Sequence, residues 1–131
     1  MSTDQVGQQL RALATFEGAS DADLRLIADA GSVLTVPKDW SLIWEKTGAD
    51  KAYVLLAGDV DVRRGGELIA RLSAGEVVGE VAIVARRLRT ATVVAASPLE
   101  VLHFTREAVD RLYAEVPAFR ASLDRAVLAH A

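Results

Sequence analysis

Between residues 32 and 104 the sequence falls into short β-branched runs separated by turn residues, and that spacing leaves few folds open. The runs cover 32–36, 42–45, 52–56, 60–63, 68–72, 90–95 and 99–104. Pro37, Gly48, Gly58, Gly75 and the pair Ser97-Pro98 punctuate them. Gly65-Gly66, between two alternating runs, predicts a tight hairpin, because a two-residue hairpin turn needs backbone angles that glycine adopts without strain. Several short strands at such intervals predict a sandwich, barrel or jelly roll.

Helical periodicity flanks this region on both sides. Val6, Leu10 and Leu13 form one apolar stripe, and a break follows at Gly18. Ser20 stands at an N-cap position ahead of Asp21 and Asp23, whose charges suit a helix start. Leu24, Ile27 and Ala28 make the buried face of that helix, and Gly31 is expected to end it. Beyond Phe104, Val109, Leu112, Tyr113 and Val116 share a face. Pro117 stops that helix and can open the next, which carries the stripe Phe119, Leu123, Ala126 and Val127. The expected fold is mainly β with flanking helices (α+β). It is a single domain over 1–131, with N-terminal helices in 1–31, a β-roll or jelly roll of about eight strands in 32–104, and two C-terminal helices in 105–131.

Composition narrows the function. A net charge of −3 and a pI near 5.3 argue against a general nucleic-acid binder, which carries a basic face, but leave room for a local anion pocket. Without cysteine there is neither a disulfide framework nor a thiolate metal site. His103 and His130 are too few for a metal centre, so no metal is expected. The opening MSTDQVGQQL is not a secretory signal, and no run approaches the roughly 18 apolar residues of a membrane span. A cytoplasmic protein without membrane contact is expected. No nucleophile elbow, zinc-protease motif or phosphate-binding P-loop appears, so no catalytic residue is assigned. Tyr53 is expected in the core, Trp44 packed, and Trp40 partly exposed.

The stretch 79–95, GEVAIVARRLRTATVVA, carries the chemistry. Gly79 permits close backbone approach, and 80–84 is long enough for one helical turn whose free N–H groups favour an anion. If the strand that follows Arg89 doubles back beside the turn, its guanidinium converges on the same anion. Glu80 would repel a lone phosphate, but it suits a hydroxyl next to one, and a cyclic ribose phosphate offers both groups. Arg86 and Arg87 could add to the phosphate field, although a solvated loop face is the commoner role for such residues.

Gly79-Glu80-Val81-Ala82, followed by Arg89-Thr90-Ala91-Thr92-Val93, resembles the phosphate-binding cassette of the cyclic nucleotide-binding domain family, found in catabolite activator proteins and in regulatory subunits of cAMP-dependent kinase. AYVLLAGDVDV, Leu72-Ser73-Ala74-Gly75 and FEGASDADLRLIA resemble the family's flanking segments, so the likeness covers most of the chain. The resemblance implies a ligand, cAMP or cGMP, held without a cofactor. Arg89 would pair with the phosphate oxygens and Glu80 with the ribose 2′-hydroxyl. Backbone amides near Ala82 and Ala91 would complete the cradle, Gly79 would lie against the sugar, and Thr90 would meet a guanine base. Val78, Asp39 and Leu88 depart from the family pattern, which more often has phenylalanine, glycine and proline there. With no DNA-reading helix in view, the implied output is a stand-alone sensor acting on a protein effector in trans, with a homodimer through the C-terminal helices as a further expectation. Two rival readings are a degenerate roll that serves only as an interaction scaffold and a small cupin-like enzyme, which lacks the histidine cluster such enzymes generally need.

Overall fold

The computed structural model describes residues 2–44, 51–78 and 91–130, with side chains as far as Arg125. Helices α1 (Thr3–Arg11) and α2 (Asp21–Ala30) come first, joined by a short 3-10 turn, Ala14–Phe16. Eight strands follow among the described residues: β1 (Ser32–Val36), β2 (Ser41–Ile43), β3 (Lys51–Ala57), β4 (Val60–Arg64), β5 (Glu67–Leu72), β6 (Val77–Val78), β7 (Thr92–Ala95) and β8 (Leu99–Thr105). Helices α3 (Arg106–Glu115) and α4 (Pro117–His130) close the chain. The strands form two four-stranded antiparallel sheets, ordered β1-β8-β3-β6 and β2-β7-β4-β5. This is the expected roll with flanking helices.

Local chemistry sets the helix ends. Ser2 and Gln5 form a capping box at α1. Ser20 Oγ accepts from the Asp23 N–H at 3.1 Å and Thr105 Oγ1 from the Ala108 N–H at 3.1 Å, each satisfying a first-turn donor of α2 and α3 that has no helical partner. Gly31 ends α2 in an extended conformation (φ −107°), not the left-handed one that glycine usually supplies at a helix end. Its bareness serves packing instead, since a Cβ there would lie 2.8 Å from the Leu102 side chain.

The first sheet has a core on each face. Ala52, Val54, Leu56, Val77, Leu102 and Phe104 face the helices and meet Leu10, Phe16, Ile27, Leu112, Phe119 and Leu123. Tyr53, Leu55, Val78, Leu99 and Val101 face into the roll against Leu42, Ile43, Val60, Val93 and Ala95 of the second sheet. β3 is therefore buried on both sides, which is why its sequence runs apolar without alternation. Each large apolar side chain sealed in this way contributes roughly 1.5–3 kcal/mol.

The turns hold the sheets in register. Gly65 (φ 58°) and Gly66 (φ 82°) make the two-residue hairpin between the paired Arg64 and Glu67. Gly58 (φ 94°) leaves no room for a side chain, because a Cβ would lie 2.5 Å from the Pro98 carbonyl oxygen. Trp44 corrects an expectation: it is 62% exposed. Leu42 and Ile43 already fill the interior at this edge strand, so the chain leaves β2 with the indole outside.

Candidate functional site

Burial inside the roll is graded from one end to the other. At the end bounded by Gly58 and Pro98, Leu55, Val60, Ala95, Leu99 and Val101 are sealed. Towards the opposite end the inward row across the first sheet is Ser32, His103, Tyr53 and Val78, aligned by strand register. There Tyr53 and Val78 are buried, while Ser32 is exposed and His103 only half-buried. Across the interior Val62 and Ala91 are also half-buried. The roll thus has a packed floor and a looser mouth.

Tyr53 spans the mouth. Its ring lies 5.5 Å from that of His103, and its hydroxyl donates to the Leu42 carbonyl of the second sheet at 3.4 Å. The residue expected in the core is there, 4% exposed.

The stretch the sequence singles out begins and ends beside this row. β6 delivers Val78 into the interior at the edge of the first sheet, and the next residue is Gly79. The chain returns at Ala91, a bend, and enters β7 between β2 and β4 of the second sheet. Gly79, Glu80, Val81, Ala82, Arg89 and Thr90 lie outside the described residues, as do Arg86 and Arg87. Of the expected ligand-binding residues Ala91 alone is described, partly buried at the foot of β7. The segment 79–90 holds three arginines and one glutamate in a chain whose net charge is −3. That stretch of sequence is locally basic in an acidic chain.

The shifted titrating groups among the described residues lie elsewhere. The Arg71 guanidinium beside Asp61 holds that carboxyl below the usual carboxylate range. Tyr113 donates to Asp124 at 2.7 Å, which raises its hydroxyl pKa. No group of three or more His, Cys, Asp or Glu side chains suited to a metal occurs among the described residues. Among them, too, no helix is long and apolar enough to cross a membrane.

The statistical description of one protein family, the cyclic nucleotide-binding domain, matches residues 33–116, from β1 to the residue after α3. The chain belongs to the cyclic nucleotide-binding domain family. Solved structures agree with this assignment. A cyclic nucleotide-binding domain from Methylobacillus flagellatus superposes with a TM-score of 0.79 at 23% identity, over 97% of this chain and 76% of that one. The regulatory domain of Toxoplasma gondii PKA, crystallised with cAMP, gives 0.82 at 17% identity, over 98% of this chain and 50% of the other. A cAMP-binding acyltransferase from Mycobacterium smegmatis gives 0.76 at 27% identity, over 94% of this chain and 40% of the enzyme. This domain therefore spans half or less of the kinase subunit and the acyltransferase. No curated protein matches it by sequence.

The C-terminal stripe is distributed differently from the dimer expectation. Phe119 and Leu123 are consumed in the domain's own core, where Phe119 meets Phe104 edge-on at 5.5 Å. The side chains of Ala126 and Val127 lie outside the described residues.

Proposed function

We propose that this domain is a sensor that binds cAMP, and cGMP as a second ligand, at the mouth of the roll. It performs no chemistry on the nucleotide and passes the bound state to a protein effector in trans. The observation that carries the reading is a coincidence of place. The run Gly79-Glu80-Val81-Ala82 with Arg89 lies in sequence between Val78 and Ala91, described residues beside the looser end of a family roll, and it carries the charge an anionic ligand needs. Arg89 pairs with the cyclic phosphate and Glu80 accepts from the ribose 2′-hydroxyl. The amides of Val81, Ala82 and Ala91 complete the cradle, Gly79 lies against the sugar, and Thr90 contacts the base. The cAMP complex of the Toxoplasma domain supports the ligand class. In the family a binding domain of this kind governs an attached or separate effector.

Thermal-shift and calorimetric titration with cAMP and cGMP test the reading. A ligand that binds the native state alone stabilises it by RT ln(1 + [L]/Kd). Arg89→Ala should weaken binding at least ~30-fold, because loss of a desolvated charge-assisted contact costs roughly 2–5 kcal/mol. It should leave the ligand-free melting temperature within a few degrees of the parent. Arg86→Ala and Arg87→Ala should keep most of the affinity. Unchanged affinity in Arg89→Ala removes the assigned role, and a parent that binds neither nucleotide at millimolar ligand favours a scaffold instead.

A further inference from the structure

Four strands end the two sheets among the described residues, and three of them are blunted against pairing with another chain. β5 carries Glu67 and Arg71 and is bulged against β4. β2 has three residues and a register shift. β6 has two residues. Charge, bulging and shortness are the usual protections of a sheet edge. β1 has none of them. Its five residues, Ser-Val-Leu-Thr-Val, are uncharged and hold an unbroken register with β8 on one side. On its other side no strand pairs with it among the described residues, and Leu34 is 43% exposed.

We propose that β1 is the pairing edge for a second copy of this chain, antiparallel about a two-fold axis at Leu34. This proposal stands apart from nucleotide binding. In that register Leu34 faces Leu34 of the second copy, Val33 faces Thr35, and Ser32 faces Val36. No like charges meet, and the two first sheets become one continuous eight-stranded sheet.

Complementary charge at the strand ends favours a second copy over an unrelated partner. α2 ends directly before β1 with Asp29 near its terminus and no basic residue in its last turn. The negative end of its dipole therefore lacks the cation that usually stands there. Lys38, two residues beyond β1, is exposed and has no ion-pair partner among the described residues. Antiparallel pairing carries the Lys38 of each copy to the α2 terminus of the other.

Sedimentation of the full chain over a roughly 100-fold concentration range tests the pairing by mass action. The parent should pass from monomer to dimer as its concentration rises, with amides of residues 32–36 gaining exchange protection in step. Leu34→Lys and Leu34→Glu should each weaken the dimer at least ~10-fold, since like charges would then face each other directly. Mixing those two variants should restore a dimer, and Lys38→Glu should weaken the parent dimer. Leu68→Lys, on the blunted β5 edge, should leave it intact, and circular dichroism should show each variant folded. A parent that stays monomeric throughout overturns the proposal. So does a dimer indifferent to Leu34→Lys, or a mixture of the two Leu34 variants that remains monomeric.

Discussion

Asp39 holds a φ of 76°, the left-handed region where an L side chain crowds its own backbone, and it is the one described residue other than glycine to do so. Aspartate tolerates the angle better than most, and glycine adopts it freely. Asp39→Gly should therefore stabilise the domain by about 0.5 kcal/mol, and Asp39→Val should destabilise it by about 1–2 kcal/mol. Urea unfolding of the two variants checks the order, and a valine variant as stable as the parent contradicts it. The family pattern already marks this position as a glycine turn, so the special angle was legible from residue type. Ser20 was legible as a cap for a similar reason, since a short polar side chain before an apolar stripe has a local task. The Ser2–Gln5 box has the same kind of signature and escapes a reading by apolar stripe alone. The role of Gly31 could not be read locally, because its neighbour Leu102 is far along the chain.

Among the elements, the β4–β5 hairpin carries a pH dependence. Asp61 and Arg71 are register partners, and Arg71 Nε donates to the Asp61 carboxylate at 2.7 Å. That hydrogen bond is the main reason the carboxyl lies below its ordinary value of 3.8. Desolvation partly opposes it, and the charges of Arg71 and Arg63 add to it. A pKa lower in the folded than in the unfolded chain stabilises the fold above the unfolded value, and the gain is lost as pH falls through the folded value. Arg71→Gln should thus flatten the acid limb of stability below about pH 4 and leave its shape near neutrality unchanged. Denaturation curves at stepped pH test this, and parallel acid limbs for parent and variant would count against it. Most strands were visible as alternating or apolar runs between turn residues. β6 was not, because two residues carry no period. Trp44 was misjudged because apolarity says nothing about which strand is an edge.

For the molecule as a whole, the helices on either side of the roll in sequence share one core. Phe119 and Leu123 of α4, Leu112 of α3, Ile27 of α2 and Leu10 of α1 meet over the same sheet face. Arg125 donates to the Thr15 carbonyl at 2.8 Å, and the Thr15 hydroxyl donates to the Gly75 carbonyl, so the last helix, the first turn and the approach to β6 are linked. Phe119→Ala should cost roughly 3–5 kcal/mol and lower one cooperative transition instead of releasing α4 alone. Far-ultraviolet dichroism and tryptophan emission followed together in urea decide it, because separate midpoints would show α4 to be an independent unit. The proposed cassette, Gly79 to Ala91, rests on residue types and spacing that are local in sequence. The looser end of the roll could not be read, since it is made by strands brought together from Ser32 to His103.

The double burial of β3 has a cost in how the protein is made. Lys51 pairs with Thr105, so the strand's main partner emerges 54 residues later (105 − 51 = 54). Until β8 has been synthesised, the run Ala52–Leu56 lacks its main strand partner and the α3 and α4 side chains that complete its helix face. Uncharged apolar segments left waiting in this way stick to one another. The yield of folded protein should therefore fall with the concentration of nascent or refolding chains, and the chain is a natural client for whatever shields hydrophobic segments at the ribosome.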